Sequence, residues 1–137
     1  MAQYGKTSLS KLVGVHPDLV TVMNEAIKDT PIDYSLIFGV RTTKMQQDLY
    51  AQGRTKKGNI VTKADGVKNK SNHQIKEDGF GWAVDFCPLI EGKLDWNTHA
   101  NFKAIADHIV ATGKRLGIKV VSGYYWKFFD APHIQLG

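Results

Sequence analysis

The chain has 137 residues, 42% hydrophobic and 23% charged, which is the composition of an ordinary folded domain with a normal core. Its single cysteine, Cys87, excludes an internal disulfide and therefore a disulfide-stapled secreted scaffold. The formal net charge is +5. That charge is compatible with simple solubility and equally with attraction to a polyanionic partner.

The N-terminus lacks the apolar core of a signal peptide, and no stretch of sequence is long enough to span a bilayer. We therefore expect one domain over residues 1–137, with no separate binding module. We also expect synthesis in the cytoplasm without a signal peptide. If the protein acts beyond the membrane, another factor must release it.

Hydrophobic periodicity and capping residues predict three helices. They cover residues 16–29, a stretch from Thr42 or Thr43 to Gly53, and a longer stretch from Asn97 or Thr98 to Gly117. Short apolar runs predict four strands, at residues 34–40, 83–88, 118–122 and 132–136. Because helices and strands do not alternate strictly, this order predicts an α+β fold with a small, largely antiparallel sheet of about four strands.

Residues 54–70 have little apolar content, and we expect a long exposed loop with a small hairpin near Gly58. The segment is either a solvated, mobile stretch or a binding patch. Its basic residues are Arg54, Lys56, Lys57, Lys63, Lys68 and Lys70.

Three residues on separate predicted elements could share one site. Asp85 lies within an apolar strand, where an unpaired carboxylate is costly unless a partner or a metal offsets it. Strand alternation places Asp85 and His133 opposite the large apolar side chains of their strands, so both emerge on the same side of the sheet. His73, on the loop that leads into the strand of Asp85, can reach that side.

Two imidazoles and one carboxylate leave a fourth tetrahedral position open, which is typical of a catalytic zinc site. Zinc would lower the pKa of a bound water to about 7. Asp130, three residues before His133, is placed to act as a general base. Arg41, at a strand exit, could stabilise an oxyanion or hold a substrate carboxylate.

Each of these residues also has a structural explanation. A single histidine is more often a hydrogen-bonded structural residue than a ligand. Asp85 could pair with a lysine, and Asp130 could cap a turn. The aromatic run that ends at Trp126 is as consistent with a core as with a substrate wall. No His-Glu-x-x-His or Cys-x-x-Cys motif decides the question.

The sequence resembles the zinc peptidases that cut peptidoglycan stem peptides. This family includes D-alanyl-D-alanine carboxypeptidases, vancomycin-resistance D,D-dipeptidases and the L-alanyl-D-glutamate endopeptidases of bacteriophage endolysins. The similar motifs are Ser71-x-His73, Gly81-x-Ala83-x-Asp85, Asp130-x-x-His133 and Gly39-Val40-Arg41-Thr42. The resemblance covers most of the chain and is strongest to single-domain phage endolysins.

The resemblance implies a hedgehog/D,D-peptidase-like fold and one bound zinc ion. The implied site residues are His73, Asp85 and His133 as zinc ligands, Asp130 and Arg41 as catalytic residues, and Ser71 and Trp126 as substrate contacts. One departure is the spacing from His73 to Asp85, which is twelve positions here and seven in the family pattern. We expect the five extra residues, within 74–80, to bulge outward while both ligands keep their places.

The function that fits best is a zinc-dependent endolysin that cleaves the L-alanyl-D-glutamate bond by attack of metal-activated water. Its partner would be the stem peptide and not nucleic acid, with loose attraction of the +5 chain to the anionic envelope. We expect a monomer, made in the host cytoplasm and acting on the cell wall after release. The alternatives are a D-alanyl-D-alanine carboxypeptidase with the same site and a basic, non-catalytic envelope-binding domain.

Overall fold

A computed structural model describes residues 2–137, which form four α-helices and five β-strands. The helices are α1 (Lys6–Ser10), α2 (Pro17–Ala26), α3 (Thr43–Ala51) and α4 (His99–Leu116). The strands are β1 (Tyr34–Phe38), β2 (Ala83–Ile90), β3 (Lys93–Leu94), β4 (Val120–Ser122) and β5 (His133–Leu136). Single 3₁₀ turns follow α2 at Ile27–Asp29 and β4 at Gly123–Tyr125. None of the described helices combines the length and apolar character needed to cross a membrane.

The strands form one antiparallel sheet in the order β1-β2-β5-β4, and β3 extends it by pairing with the end of β2. The predicted α+β class with a small antiparallel sheet is confirmed. The short elements α1 and β3 were not predicted, because five residues without an apolar stripe and two residues after a turn carry little periodic signal.

Three helix ends lie where the sequence predicted them. His16 caps α2 by accepting a hydrogen bond from the Asp18 N–H at 3.0 Å. Thr42 caps α3 by accepting from the Met45 N–H at 3.1 Å. Gly117 ends α4 in the left-handed conformation, at φ 75°.

Helices α2 and α4 pack together and cover one face of the sheet. Phe86 of β2 contacts Phe102 of α4 with ring centroids 5.5 Å apart, and both side chains are buried. Full burial of each such side chain contributes about 1.5–3 kcal/mol relative to exposure. Along β2, Val84 and Phe86 alternate with Asp85, so the helices leave the Asp85 face of the strand free for polar side chains.

Residues 54–70 contain no helix or strand, and the predicted hairpin near Gly58 is absent from the described structure. The local pairing is instead an isolated bridge between Gln52 and Lys56. Part of the segment is nevertheless fixed to the body. Gln46 donates to the Ala64 carbonyl at 2.9 Å, and Gln74 donates to the Gly66 carbonyl at 3.0 Å.

Candidate metal centre and cleft

His73, Asp85 and His133 meet on the sheet face opposite the helices. Asp85 and His133 are register partners on β2 and β5, and His73 reaches them from the loop before β2. His73 Nε2 lies 3.2 Å from Asp85 Oδ1 and 3.2 Å from His133 Nδ1, and His133 Nδ1 lies 3.4 Å from Asp85 Oδ1. All three residues are buried. The fold thus assembles the three side chains that the sequence distributes over sixty positions.

The outer ring nitrogens of both histidines have hydrogen-bond acceptors. His73 Nδ1 lies 2.9 Å from the Gly39 carbonyl oxygen, and His133 Nε2 lies 2.8 Å from Gln135 Oε1. Since both partners accept, each outer nitrogen donates its N–H to its partner. When the rings carry no second proton, the two inner nitrogens and Asp85 Oδ1 are three acceptors that face one another, an arrangement that a cation between them would stabilise.

The three donor atoms match the requirements of a tetrahedral metal site. A tetrahedron with metal–ligand distances of about 2.0–2.1 Å has edges of about 3.3 Å, close to the three separations described above. Each ligand group also has an outer partner: Gly39 for His73, Gln135 for His133 and Arg41 for Asp85. Such partners orient metal ligands and fix their protonation. The group could therefore hold a metal ion.

The pKa of Asp85 is lowered despite its burial. Burial alone would raise it, but His73 and His133, when protonated in the absence of a cation, outweigh that effect through their positive charge and their hydrogen bonds to the carboxylate. Asp85 therefore remains ionised and available as a ligand.

Arg41 is engaged with Asp85. Its terminal nitrogens donate to Asp85 Oδ2 and to Gln46 Oε1, each at 3.1 Å, and its backbone N–H donates to the His73 carbonyl at 2.9 Å. Burial lowers the pKa of the guanidinium, and the charge of Asp85 opposes this shift. Arg41 thus orients the carboxylate that faces the two histidines.

Asp130 lies beside the three-residue group. Its Oδ2 is 3.8 Å from His133 Nδ1, and its backbone N–H donates to the Gly123 carbonyl at 2.9 Å. Burial raises the pKa of Asp130, and the neighbouring charge of Asp85 raises it further. The structure therefore places a second carboxyl group next to the candidate ligands.

An open cleft of about 490 Å³ leads to this group. Ser71 and Trp126, the two expected substrate contacts, both line it. Ser71 Oγ also accepts from the His73 N–H at 3.1 Å, and the Trp126 ring packs 4.9 Å from the His133 ring. The remaining apolar lining consists of Phe38, Leu49, Val61, Ala64 and Phe128.

Sequence reasoning missed two glutamines that support the site. Gln46 is fully buried and links Arg41 to the 54–70 segment. Gln135 Oε1 accepts from His133 and also from Asn72 Nδ2 at 2.7 Å. Gln135 could have been found from strand parity, since it shares a face with His133. The sequence signal for Gln46 is weaker. It consists only of helical spacing, since Gln46 lies three positions before Leu49 on the inner side of α3.

The extra residues between His73 and Asp85 form an exposed loop, as expected. Residues 75–79 are exposed, and the loop is closed by the Lys76 N–H donating to the Phe80 carbonyl at 2.9 Å. Asp78 fixes it to the body by accepting from Trp82 Nε1 at 2.8 Å. The additional length therefore leaves His73 and Asp85 in contact.

Two histidines and an aspartate at the end of an open cleft form a donor set that metal-dependent hydrolases use. Comparison with known families identifies a hydrolase: the model of the phage L-alanyl-D-glutamate peptidases matches residues 1–136. The chain belongs to this peptidase family, and the resemblance noted in the sequence is confirmed.

Two curated relatives are similar to the chain. The L-alanyl-D-glutamate peptidase of Escherichia phage T5 is 32% identical over 134 residues, which are 98% of this chain and 88% of the relative. The peptidoglycan L-alanyl-D-glutamate endopeptidase CwlK of Bacillus subtilis (strain 168) is 32% identical over 122 residues, 83% of this chain and 66% of CwlK.

One solved structure is similar over nearly the whole chain. The L-Ala D-Glu endopeptidase ChiX of Serratia marcescens superimposes with a TM-score of 0.74 at 25% identity, covering 99% of this chain and 91% of ChiX.

Proposed function

We propose that the protein is a zinc-dependent endolysin that hydrolyses the L-alanyl-D-glutamate bond of the peptidoglycan stem peptide. Membership of the phage L-alanyl-D-glutamate peptidase family supports the bond and the substrate. The proposed metal dependence is supported by one observation. Three atoms, His73 Nε2, Asp85 Oδ1 and His133 Nδ1, face inward towards one another.

We assign the metal to these three ligands and choose zinc because two imidazoles and one carboxylate form a donor set that zinc uses in hydrolases. Bound there, zinc would act as a Lewis acid that polarises the scissile carbonyl and acidifies water. Arg41, through its hydrogen bond to Asp85, holds the carboxylate ligand in position. Its remaining guanidinium N–H groups are proposed donors to the carbonyl oxygen of the substrate.

Asp130 is the proposed general base and acid. It accepts a proton from the water whose oxygen attacks the carbonyl carbon of L-alanine. It then returns that proton to the nitrogen of D-glutamate as the carbon–nitrogen bond breaks. Its position beside His133, outside the three-ligand group, supports this role. Ser71 and Trp126, on the cleft wall, are the proposed contacts of the stem peptide.

Digestion of purified peptidoglycan followed by mass spectrometry tests the proposal. The expected products are fragments with a new amino terminus on D-glutamate, formed by the wild type and not by Asp130→Asn. Release of terminal D-alanine alone would instead identify a D,D-carboxypeptidase. Binding to cell walls without any cleavage would identify an envelope-binding domain.

The net charge of +5 supports a second, weaker contribution to binding of the cell wall. We propose that it attracts the protein loosely to the anionic envelope after release from the cytoplasm. Added salt should then slow lysis of whole cell walls more than hydrolysis of small soluble fragments, because only the polymer presents many charges. Equal salt dependence on both substrates would contradict this contribution.

A further inference from the structure

Two lysines of the 54–70 segment, Lys63 and Lys70, line the cleft. Within residues 2–137, neither has a carboxylate within salt-bridge distance, whereas Lys56 of the same segment pairs with Asp48 at 3.3 Å. The ammonium group of Lys63 lies 5.1 Å from the centre of the Phe128 ring, which also lines the cleft. The cleft therefore contains two cations that no protein anion neutralises.

Buried glutamines anchor the residues next to both lysines. Lys63 lies between Thr62 and Ala64, and Gln46 donates to both of these residues, at 3.2 and 2.9 Å. Lys70 precedes Ser71, whose N–H donates to the side-chain oxygen of Gln74 at 2.9 Å. The two lysines therefore project from anchored positions, which lowers the entropic cost of holding a ligand.

The other charged groups of the cleft offer no free cation. Arg41 is paired with Asp85 at 3.1 Å, and Asp130 is a carboxyl group beside His133. An anionic group of a bound ligand would gain nothing from Asp130, and Asp85 is already engaged by Arg41 and by the proposed zinc. Such a group would find unpaired positive charge only at Lys63 and Lys70 among the described cleft residues.

The proposed substrate carries such an anionic group, so this inference rests on the proposed function. A D-glutamyl residue has two carboxyl groups, and a peptide that continues through one of them leaves the other ionised close to the scissile bond. We infer that Lys63 and Lys70 form a subsite for this free carboxylate. The subsite makes the enzyme selective for glutamate over the corresponding residue with an amidated carboxyl group.

Two synthetic stem peptides that differ only in that group, carboxylate or amide, test the inference. The measured quantity is the ratio of their kcat/KM values for the wild type, Lys63→Met, Lys70→Met and the double variant. Methionine keeps the apolar stem and removes the charge. Lys57→Met is the matched control, because Lys57 lies on the same segment but does not line the cleft.

We expect the wild type to prefer the carboxylate peptide by about tenfold or more, the effect of a charged hydrogen bond. The double variant should bring the ratio close to one, and Lys57→Met should keep the wild-type ratio. If the wild type cleaves both peptides equally well, the inference is overturned. A preference for the carboxylate peptide that survives in the double variant would also overturn it, as would an equal loss of that preference in Lys57→Met.

A binding measurement separates failure of the subsite from failure of the proposed function. The probe is a product-like peptide that begins with D-glutamate, compared with its amide, and the signal is tryptophan fluorescence, since Trp126 lines the cleft. Tighter binding of the carboxylate form, lost in the double variant, supports the subsite even if the wild type cuts a different bond. Equal binding of the two forms overturns it whatever the bond cleaved.

Discussion

Asp85 and His133 are direct partners across strands β2 and β5, and Asp85 Oδ1 lies 3.4 Å from His133 Nδ1. Side chains on a strand alternate between faces, so a slip of one residue in this pairing would turn His133 towards the helices. Ile134, the next residue, is fully buried in the core and opposes such a slip. The packing of the core therefore sets the geometry of the candidate metal centre.

Removal of metal should abolish hydrolysis and lower stability. With neutral rings and no cation, His73 Nε2, His133 Nδ1 and Asp85 Oδ1 face one another as acceptors. Treatment with a chelator should eliminate activity and lower Tm, and added zinc should restore both. Zinc at a hundred times its Kd should stabilise the fold by about 2.7 kcal/mol.

The variant His133→Ala tests the assignment of His133 as a metal ligand. It should purify with little zinc by elemental analysis, and its Tm should not respond to added zinc. Full zinc content in this variant, or chelator-resistant activity in the wild type, would contradict the assigned ligands.

Asp130→Asn should separate catalysis from metal binding. The substitution preserves the shape of the side chain and removes its ability to accept a proton, so kcat should fall by about 10²–10⁴-fold. Zinc content and Tm should stay close to those of the wild type, because Asp130 lies outside the three-ligand group. A folded, zinc-loaded variant with unchanged kcat would exclude Asp130 as the base.

Gln46→Ala should loosen the wall of the cleft. Gln46 is fully buried and bonds Arg41, Thr62 and Ala64, so its loss leaves buried polar groups without partners. We expect a loss of about 1–3 kcal/mol in the free energy of unfolding, measured by urea denaturation. Amide exchange around residue 64 should also become faster.

The adjacent Gln47 is the matched control, because it is exposed on the same helix. Gln47→Ala should change stability by no more than about 0.5 kcal/mol. If both variants lose the same stability, the hydrogen bonds of Gln46 do not hold the segment.

Gly123→Ala should displace the carboxyl group of Asp130. A methyl group at this position would lie 3.0 Å from His133 Cβ and 3.1 Å from Asp130 Cβ, closer than side-chain carbons normally approach. We expect a loss of about 1–3 kcal/mol in stability from this overpacking. The activity should fall by about a hundredfold, because small misplacements of catalytic groups are costly.

Gly5→Ala is the control for this substitution, since nothing lies within 4 Å of the added methyl group. It should retain wild-type activity and Tm. Wild-type kinetics in Gly123→Ala would show that the Asp130 loop shifts without consequence for catalysis.

Much of the secondary structure could be predicted from local signals. The helix start at His16, the cap Thr42 and the terminating Gly117 lie where they were expected. Strand alternation correctly placed Asp85 away from the apolar side chains of β2. The two shortest elements escaped prediction because they are too short for a periodic pattern.

The 54–70 segment shows the limit of local reasoning. Its composition is that of a solvated loop, yet Gln46 and Gln74 anchor it as one wall of the cleft. Both glutamines are polar residues without a distinctive local pattern, so their contacts could not be read from spacing. The pairing of Arg41 with Asp85 was missed for the same reason, since the two residues lie 44 positions apart.

By itself, the sequence determined the fold class, the family and the residue types available for chemistry, because these follow from periodicity, capping and short motifs. Only the tertiary structure decided which nitrogen of each histidine faces inward, which partner orients Asp85 and which lysines remain unpaired. Those properties depend on hydrogen bonds and ion pairs between distant parts of the chain, and such contacts form only when the sheet and its surrounding loops have packed.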